Sequence, residues 1–247
     1  MVRDNRTMLK PFLTARWQYL AMLNFRVDPA ILAPHVPVGT EIDFHHGETY
    51  VSVIGFQFHH TVVMGLPIPG HQNFEEVNLR FYVRKQCGDT WRRGVVFIRE
   101  LVPKIAIAMT ARVFYGEPYQ ALPMRHVVTD CDGELNVRYE WRRGREWESL
   151  AMSARGAAKE IPAGSHEEFI TEHYWGYTRR GQRTSEYQVE HPRWNLWTAN
   201  QHEFKADVAT LYGEKFLETL GQAPVSAFIA DGSSVAVYQR RAGADLR

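Results

Sequence analysis

The chain has 247 residues, 45% apolar and 23% charged, with a net charge of +1. That balance suits a soluble globular protein and excludes a general nucleic-acid binder, which needs a strong basic excess. No segment approaches the ~20 apolar residues of a membrane helix and no signal-length apolar stretch opens the sequence, so one cytoplasmic domain spanning 1–247 is expected.

Six of the 29 Lys and Arg residues are lysine: Lys10, Lys85, Lys104, Lys159, Lys205 and Lys215. Arginine pairs carboxylates bidentately and keeps its charge, so a chain this rich in it suits ion-pair lattices and anion binding. Cys87 and Cys131 stand in no metal-like spacing and read as reduced thiols.

In chain order, residues 17–25 and 49–58 are apolar and strand-like, and Gly55 reads as a bulge that shifts the phase between Val51/Val53 and Phe56/Phe58. Between them, the prolines of 28–37 allow one helical turn. The clearest strand is 76–84, where Val77, Leu79, Phe81 and Val83 alternate with Glu76, Asn78, Arg80, Tyr82 and Arg84. Gly88-Asp89 turns the chain into a second strand, 94–101. Residues 104–114 are Ala-rich and helix-compatible. Residues 136–141 and 147–154 flank a turn at 142–145 and form a hairpin.

Ser165 and Glu168 make a capping box for a helix starting near 166. Residues 185–191 alternate as a strand. Residues 207–220 place Val208, Leu211, Tyr212, Lys215, Phe216 and Leu220 on one helical face. The chain closes with SAFIAD, a Gly-Ser-Ser turn and VAVYQ, read as a hairpin. Strands dominate and nothing alternates as βαβ, so the class is α+β, β-rich, with a largely antiparallel sheet.

The eleven histidines include the adjacent pairs His45-His46 and His59-His60, but neighbours on a strand point to opposite faces and cannot chelate one ion. No zinc, nucleophile-elbow, P-loop or dinucleotide motif occurs, so no metal or cofactor is expected. Two features remain. Glu76, Asn78 and Arg80 share one face of a strand, which is either a wet outer face or the wall of a pocket. Lys104 follows Pro103 in the apolar run LVPKIAIAM; there it either snorkels at an element's edge or sits desolvated, its amine freed for attack on a carbonyl.

The stretches FEEVNLRFYV, RRGVVFIRELVPK, YGEPYQALPMRH, EEFITEHYWGYT, TSEYQVEHPRW and the C-terminal Asp-Gly-Ser resemble the uncharacterised bacterial YqjF-like family over roughly residues 11–240. That family resembles acetoacetate decarboxylase in fold. The resemblance implies a β-cone or barrel of antiparallel strands around a central pocket, with peripheral helices. It sets Arg99-Glu100-Leu101 and Pro103-Lys104 against the decarboxylase's Arg-Glu-Leu strand and Schiff-base turn, so that Lys104 matches the imine-forming lysine. Glu76 matches a pocket glutamate and Arg16 a pocket arginine near the first strand. The decarboxylase's second lysine is Ile105 here, so depression of the Lys104 pKa would fall to burial or to Arg80, Arg99 or Arg112.

The leading expectation is a Schiff-base lyase, decarboxylase- or aldolase-like, acting on a small oxo acid. Lys104 and Glu76 would be catalytic, with Arg80, Arg99, Arg112 and Arg16 binding the substrate. The alternatives are a non-catalytic protein of the same fold that binds a small anion, and a structural protein with a vestigial pocket. The expected partner is a small, anionic molecule, not nucleic acid or membrane; a homo-oligomer is allowed.

Overall fold

The computed structural model describes residues 10–108 and 116–241. Its strands, in chain order, are β1 (Pro11–Arg26), β2 (Glu41–Ile42), β3 (Tyr50–Val63), β4 (Leu66–Pro67), β5 (Phe74–Cys87), β6 (Thr90–Val102), β7 (Tyr119–Ala121), β8 (Met124–Cys131), β9 (Glu134–Arg143), β10 (Glu146–Arg155), β11 (Lys159–Glu160), β12 (Trp175–Arg180), β13 (Arg183–Glu190), β14 (Asn195–Lys205) and β15 (Ser226–Arg241). Short helices punctuate them, among them α1 (Pro29–Leu32), α2 (His166–Thr171), α3 (Val208–Tyr212) and α4 (Leu217–Gly221). No helix among these residues is long and apolar enough to cross a membrane.

Seven strands run in the order β1-β3-β5-β6-β12-β13-β15, and β15 pairs back onto β1, so the sheet closes into a barrel. Most neighbours are antiparallel; β12 and β7 each pair with β6 in parallel. A second sheet, β14-β10-β9-β8, branches from β15. Its apolar face, with Val137, Tyr139, Trp141, Leu150 and Met152, covers the outside of the barrel wall. The stripe Leu211, Tyr212, Phe216 and Leu220 joins the same outer core, as its helical spacing predicts, while Lys215 is exposed. The helix itself breaks at Gly213 (φ 102°), giving α3, a 3-10 turn and α4.

The central strands therefore lie between two cores, one outside the barrel and one within it. Val77, Leu79, Phe81 and Val83 pack outward; Glu76, Asn78 and Arg80 face the interior. Strict alternation in β5 follows from this double burial, since each face meets a different environment.

Two glycines correct the sequence reading. Gly55 is not a bulge: β3 and β5 pair without interruption from Val51↔Phe81 to Phe58↔Phe74. Gly55 points outward, where a Cβ would lie 2.5 Å from the Tyr139 ring, so close packing is what requires a glycine there. The register shift is in β1, between Gln18 and Ala21, at Tyr19 (φ 52°). The C-terminal segment is not a hairpin. β15 is one continuous strand, paired along its length with β1, and a Cβ on Gly232 (φ 82°) would overlap the Trp17 carbonyl oxygen.

Other local expectations hold. Asp28 caps α1 by accepting from the Ala30 N–H at 2.8 Å, and the Ser165 hydroxyl accepts from the Glu168 N–H at 3.1 Å at the start of α2. β9 and β10 form the expected hairpin. Of the Ala-rich 104–114, residues 105–108 turn helically and 109–114 lie outside the described residues; Cys87 and Cys131 are free thiols.

Candidate active site

The barrel encloses a cavity of about 220 Å³ whose polarity follows the strand register. Phe58 pairs with Phe74, Phe56 with Glu76, Ile54 with Asn78, and Ser52 with Arg80. Inner side chains two residues apart are separated by about 7 Å along a strand. An aromatic layer thus stands at one end and charged groups lie deeper. At the Arg80 end, α2 plugs the barrel: Phe169 packs on Tyr82 (ring centroids 5.2 Å apart), and the Ile170 carbonyl accepts from Arg80 Nη2 at 3.2 Å. At the aromatic end, the exposed segment 64–70 and residues 105–107 form the rim, with Ile68, His71, Ala106 and Ile107 lining the mouth.

Three buried glutamates meet inside. Glu76 comes from β5. Glu100 comes from β6, where an extra residue at Ile98 shifts the register so that Phe97 and Glu100 both face inward. Glu117 precedes β7, which lies beside β6 with Tyr119 opposite Glu100. The Tyr119 hydroxyl donates to Glu76 Oε2 at 3.0 Å, and Asn78 Nδ2 donates to Glu76 Oε1 at 2.9 Å.

Burial raises the pKa of all three carboxyls. Glu76 is pushed up to about 7, with Asn78, Tyr119 and Arg80 opposing the rise. Glu100 is held well above the usual carboxylate range by burial, then by Glu117 and Glu76. Glu117 goes up to about 8, with Thr178, Tyr187 and Arg180 acting the other way. Like charges this close cannot all ionise in a desolvated site, so near neutral pH the cluster shares protons.

At the plugged end, where the His173 ring packs on Tyr82 and Phe169, His173 Nε2 is 3.1 Å from Asp43 Oδ2, which also accepts from Arg93 Nε at 2.7 Å. Burial lowers the His173 pKa to about 4 against the pull of Asp43, so the ring is neutral. With Nε2–H donating to Asp43, Nδ1 carries a lone pair. That Nδ1, Arg80 Nε, Asn78 Oδ1 and Glu100 Oε2 are buried with no hydrogen bond in the structure, and all belong to cavity-lining residues. Buried polar atoms left in this state favour a ligand that completes them.

The sequence-predicted residues separate accordingly. Glu76 and Arg80 are brought together in the cavity. Lys104 is half-buried at the rim and does not line the cavity; its amine donates to the Gly70 carbonyl, joining the two lips of the mouth. Arg99 and Arg16 are corrections. Arg99 opposes outward-facing Leu79, and its Nε donates to the Leu211 carbonyl at 3.2 Å, on the outside of the barrel. Arg16 is exposed in a shallow groove beside His60 and Glu190, placed there by register shifts in β1. Arg112 lies outside the described residues. Glu100, Glu117, Tyr119, His173 and Tyr187 were not singled out from the sequence. Each falls within a stretch that carries the family resemblance, which was the signal available.

The family model for DUF2071, described as "Uncharacterized conserved protein (COG2071)", matches residues 14–234. The chain belongs to this family. A DUF2071 assignment accords with 26% identity over 187 residues to "Uncharacterized protein YqjF" of Bacillus subtilis (strain 168), covering 74% of each chain. Among solved structures, the enduracididine biosynthesis enzyme MppR with HEPES buffer bound has a TM-score of 0.66 at 15% identity, over 98% of this chain and 92% of that one. Acetoacetate decarboxylase from Legionella pneumophila subsp. pneumophila str. Philadelphia 1 has a TM-score of 0.64 at 13% identity, over 96% and 88%. At these identities the likeness establishes the fold: this DUF2071 chain is an acetoacetate-decarboxylase-like barrel.

Proposed function

We propose that the barrel cavity is the active site of an enzyme that binds a small oxo acid and moves protons next to its carbonyl, as a carbon–carbon lyase or aldolase must. The observation that carries this reading is the meeting of three buried glutamates, Glu76, Glu100 and Glu117, with Tyr119 and Arg80 in one cavity. Groups titrating near 7 serve equally as acid and base at neutral pH. An ionised Glu76 takes the proton from the carbon beside the carbonyl. A protonated Glu100, or the Tyr119 hydroxyl beside it, gives a proton to the carbonyl oxygen, and the product is an enol. Breaking a carbon–carbon bond on that same carbon gives the same enol: the bond's electron pair becomes the C=C bond, the carbonyl oxygen takes the proton from Glu100 or Tyr119, and the fragment leaves as carbon dioxide or, once Glu76 has taken its hydroxyl proton, as an aldehyde. The free Arg80 Nε–H pairs the substrate carboxylate, and His173 Nδ1 accepts from the enol hydroxyl. MppR of the same fold is described as complexed with pyruvate and with the condensation product of pyruvate and imidazole 4-carboxaldehyde, which supports an oxo acid as ligand.

A second reading adds an imine at Lys104. It is favoured by the position of this amine at the mouth, two residues before the cavity-lining Ala106. It requires the amine to leave the Gly70 carbonyl and turn inward.

Exchange of the protons beside the carbonyl, followed by NMR in deuterated water over a panel of oxo acids, tests both. Exchange that is lost in Glu76→Gln, with no borohydride-trapped adduct, supports the carboxyl mechanism. An adduct on Lys104 by mass supports the imine. Binding without exchange makes this a small-anion-binding protein, and no binding ends the oxo-acid reading.

A further inference from the structure

The way into the cavity constrains what reaches the carboxyls. Phe58 and Phe74 stack at 4.5 Å with 13° between planes. Phe56 lies 5.1 Å from Phe58, and Trp17 meets Phe56 at 5.1 Å and Phe58 at 5.7 Å, both edge-on. Trp194, 6.3 Å from Trp17, and His191, 6.4 Å from Trp17, stack on each other at 4.1 Å and continue the ring. Trp17, Phe58 and Phe74 line the cavity at the level of the mouth, one strand step (about 7 Å) above Glu76, and Phe56, the cross-strand partner of Glu76, carries the aromatic wall down to the carboxyl itself. The apolar surface continues outward onto the rim, where Met64, Leu66 and Ile105 are 68%, 69% and 69% exposed. A wholly polar three-carbon acid bound at the carboxyl cluster would leave this collar uncovered.

We infer that the substrate carries an aromatic or bulky branched apolar group, of about phenyl size, on the carbon next to its reacting carbonyl. This inference rests on the oxo-acid reading of the cavity and adds the class of substituent. The head occupies Glu76, Glu100, Tyr119 and Arg80, while the substituent sits between Trp17, Phe56, Phe58 and Phe74. The spacing fits: one methylene and a phenyl ring span about one strand step. An apolar pocket distinguishes substituents by the surface they bury, and an aromatic collar adds edge and face contacts to a ring.

The test is titration calorimetry with pyruvate, 4-methyl-2-oxopentanoate, phenylpyruvate and 3-phenylpropionate, the last lacking the carbonyl. Phenylpyruvate is expected to bind at least tenfold tighter than pyruvate, with the branched acid between them. Phe58→Ala should narrow the phenylpyruvate-to-pyruvate ratio to under threefold; Phe58→Leu serves if the alanine variant does not fold. Pyruvate binding as tightly as phenylpyruvate overturns the collar inference and leaves the oxo-acid reading standing. If 3-phenylpropionate binds as tightly as phenylpyruvate, the collar stands and the oxo-acid reading falls. No binding by any of the four overturns both.

Discussion

The two faces of β5 are equally buried and chemically opposite. Outward, Val77, Leu79, Phe81 and Val83 are each 0% exposed and meet an apolar wall from the second sheet and the 208–221 helices. Inward, Glu76 and Asn78 are 2% exposed and meet other titratable groups. Burial alone does not distinguish a structural face from a working one. On β5 what differs is the chemistry that is buried: the outward side chains carry no polar atom, whereas Asn78 Oδ1 and Arg80 Nε inside are polar and have no hydrogen bond.

If that division is right, substitutions on the two faces should fail in different ways. The largest effect is expected at Glu76→Gln, which should lower proton exchange on a bound oxo acid by about 10²- to 10⁴-fold, the usual worth of a general acid–base group. NMR exchange rates check this, with circular dichroism showing that the fold is kept. Leu79→Ala, one residue into the other face, should cost about 2–5 kcal/mol of stability in urea titration, with ligand affinity retained.

The pH dependence separates the faces again. An unfolded glutamate gives up its proton near 4.5, whereas folded Glu76 holds it to about 7. The folded state therefore binds more protons between those values, and stability falls as pH rises through them. That displacement corresponds to about 3 kcal/mol, so raising the pH from 5 to 8.5 should destabilise the wild type more than Glu76→Gln by about that amount. His173 adds an opposite slope of similar size, losing stability as pH falls from 6.5 toward 4, because its folded pKa is depressed. Leu79→Ala should shift the whole stability–pH curve without changing its shape. The smallest effect is expected at Gly55→Ala, where the new methyl must push the Tyr139 ring aside; about 1–3 kcal/mol by urea titration is the ordinary cost of overpacking.

How much of this was legible depended on distance along the chain. The alternation of 76–84, the Ser165 cap and the 136–154 hairpin are local signals and read correctly. Gly55 and Gly232 were misread as punctuation because the groups that demand them, Tyr139 and the Trp17 carbonyl, are far away in sequence. Glu100 was hidden by the extra residue at Ile98, which reverses the faces that strict alternation assigns. Tyr119 lies on a three-residue strand too short to show a period. Arg16 and Arg99 entered through short-range correspondence to another sequence, and register shifts turned both away from the interior.

The β1–β15 seam bears on biosynthesis. Asn24 Nδ2 donates to Ser226 Oγ at 2.8 Å across 202 residues, and the two strands pair from there to Pro11 and Tyr238. A contact that distant forms late and slowly, because loop closure must precede any gain from pairing. On the ribosome, β1 waits with an open edge until β15 has emerged, and open edges invite pairing with other chains. Until β15 arrives the carboxyl cluster remains in water and titrates as ordinary glutamate, so the nascent chain acquires its acid–base character only when the last strand docks.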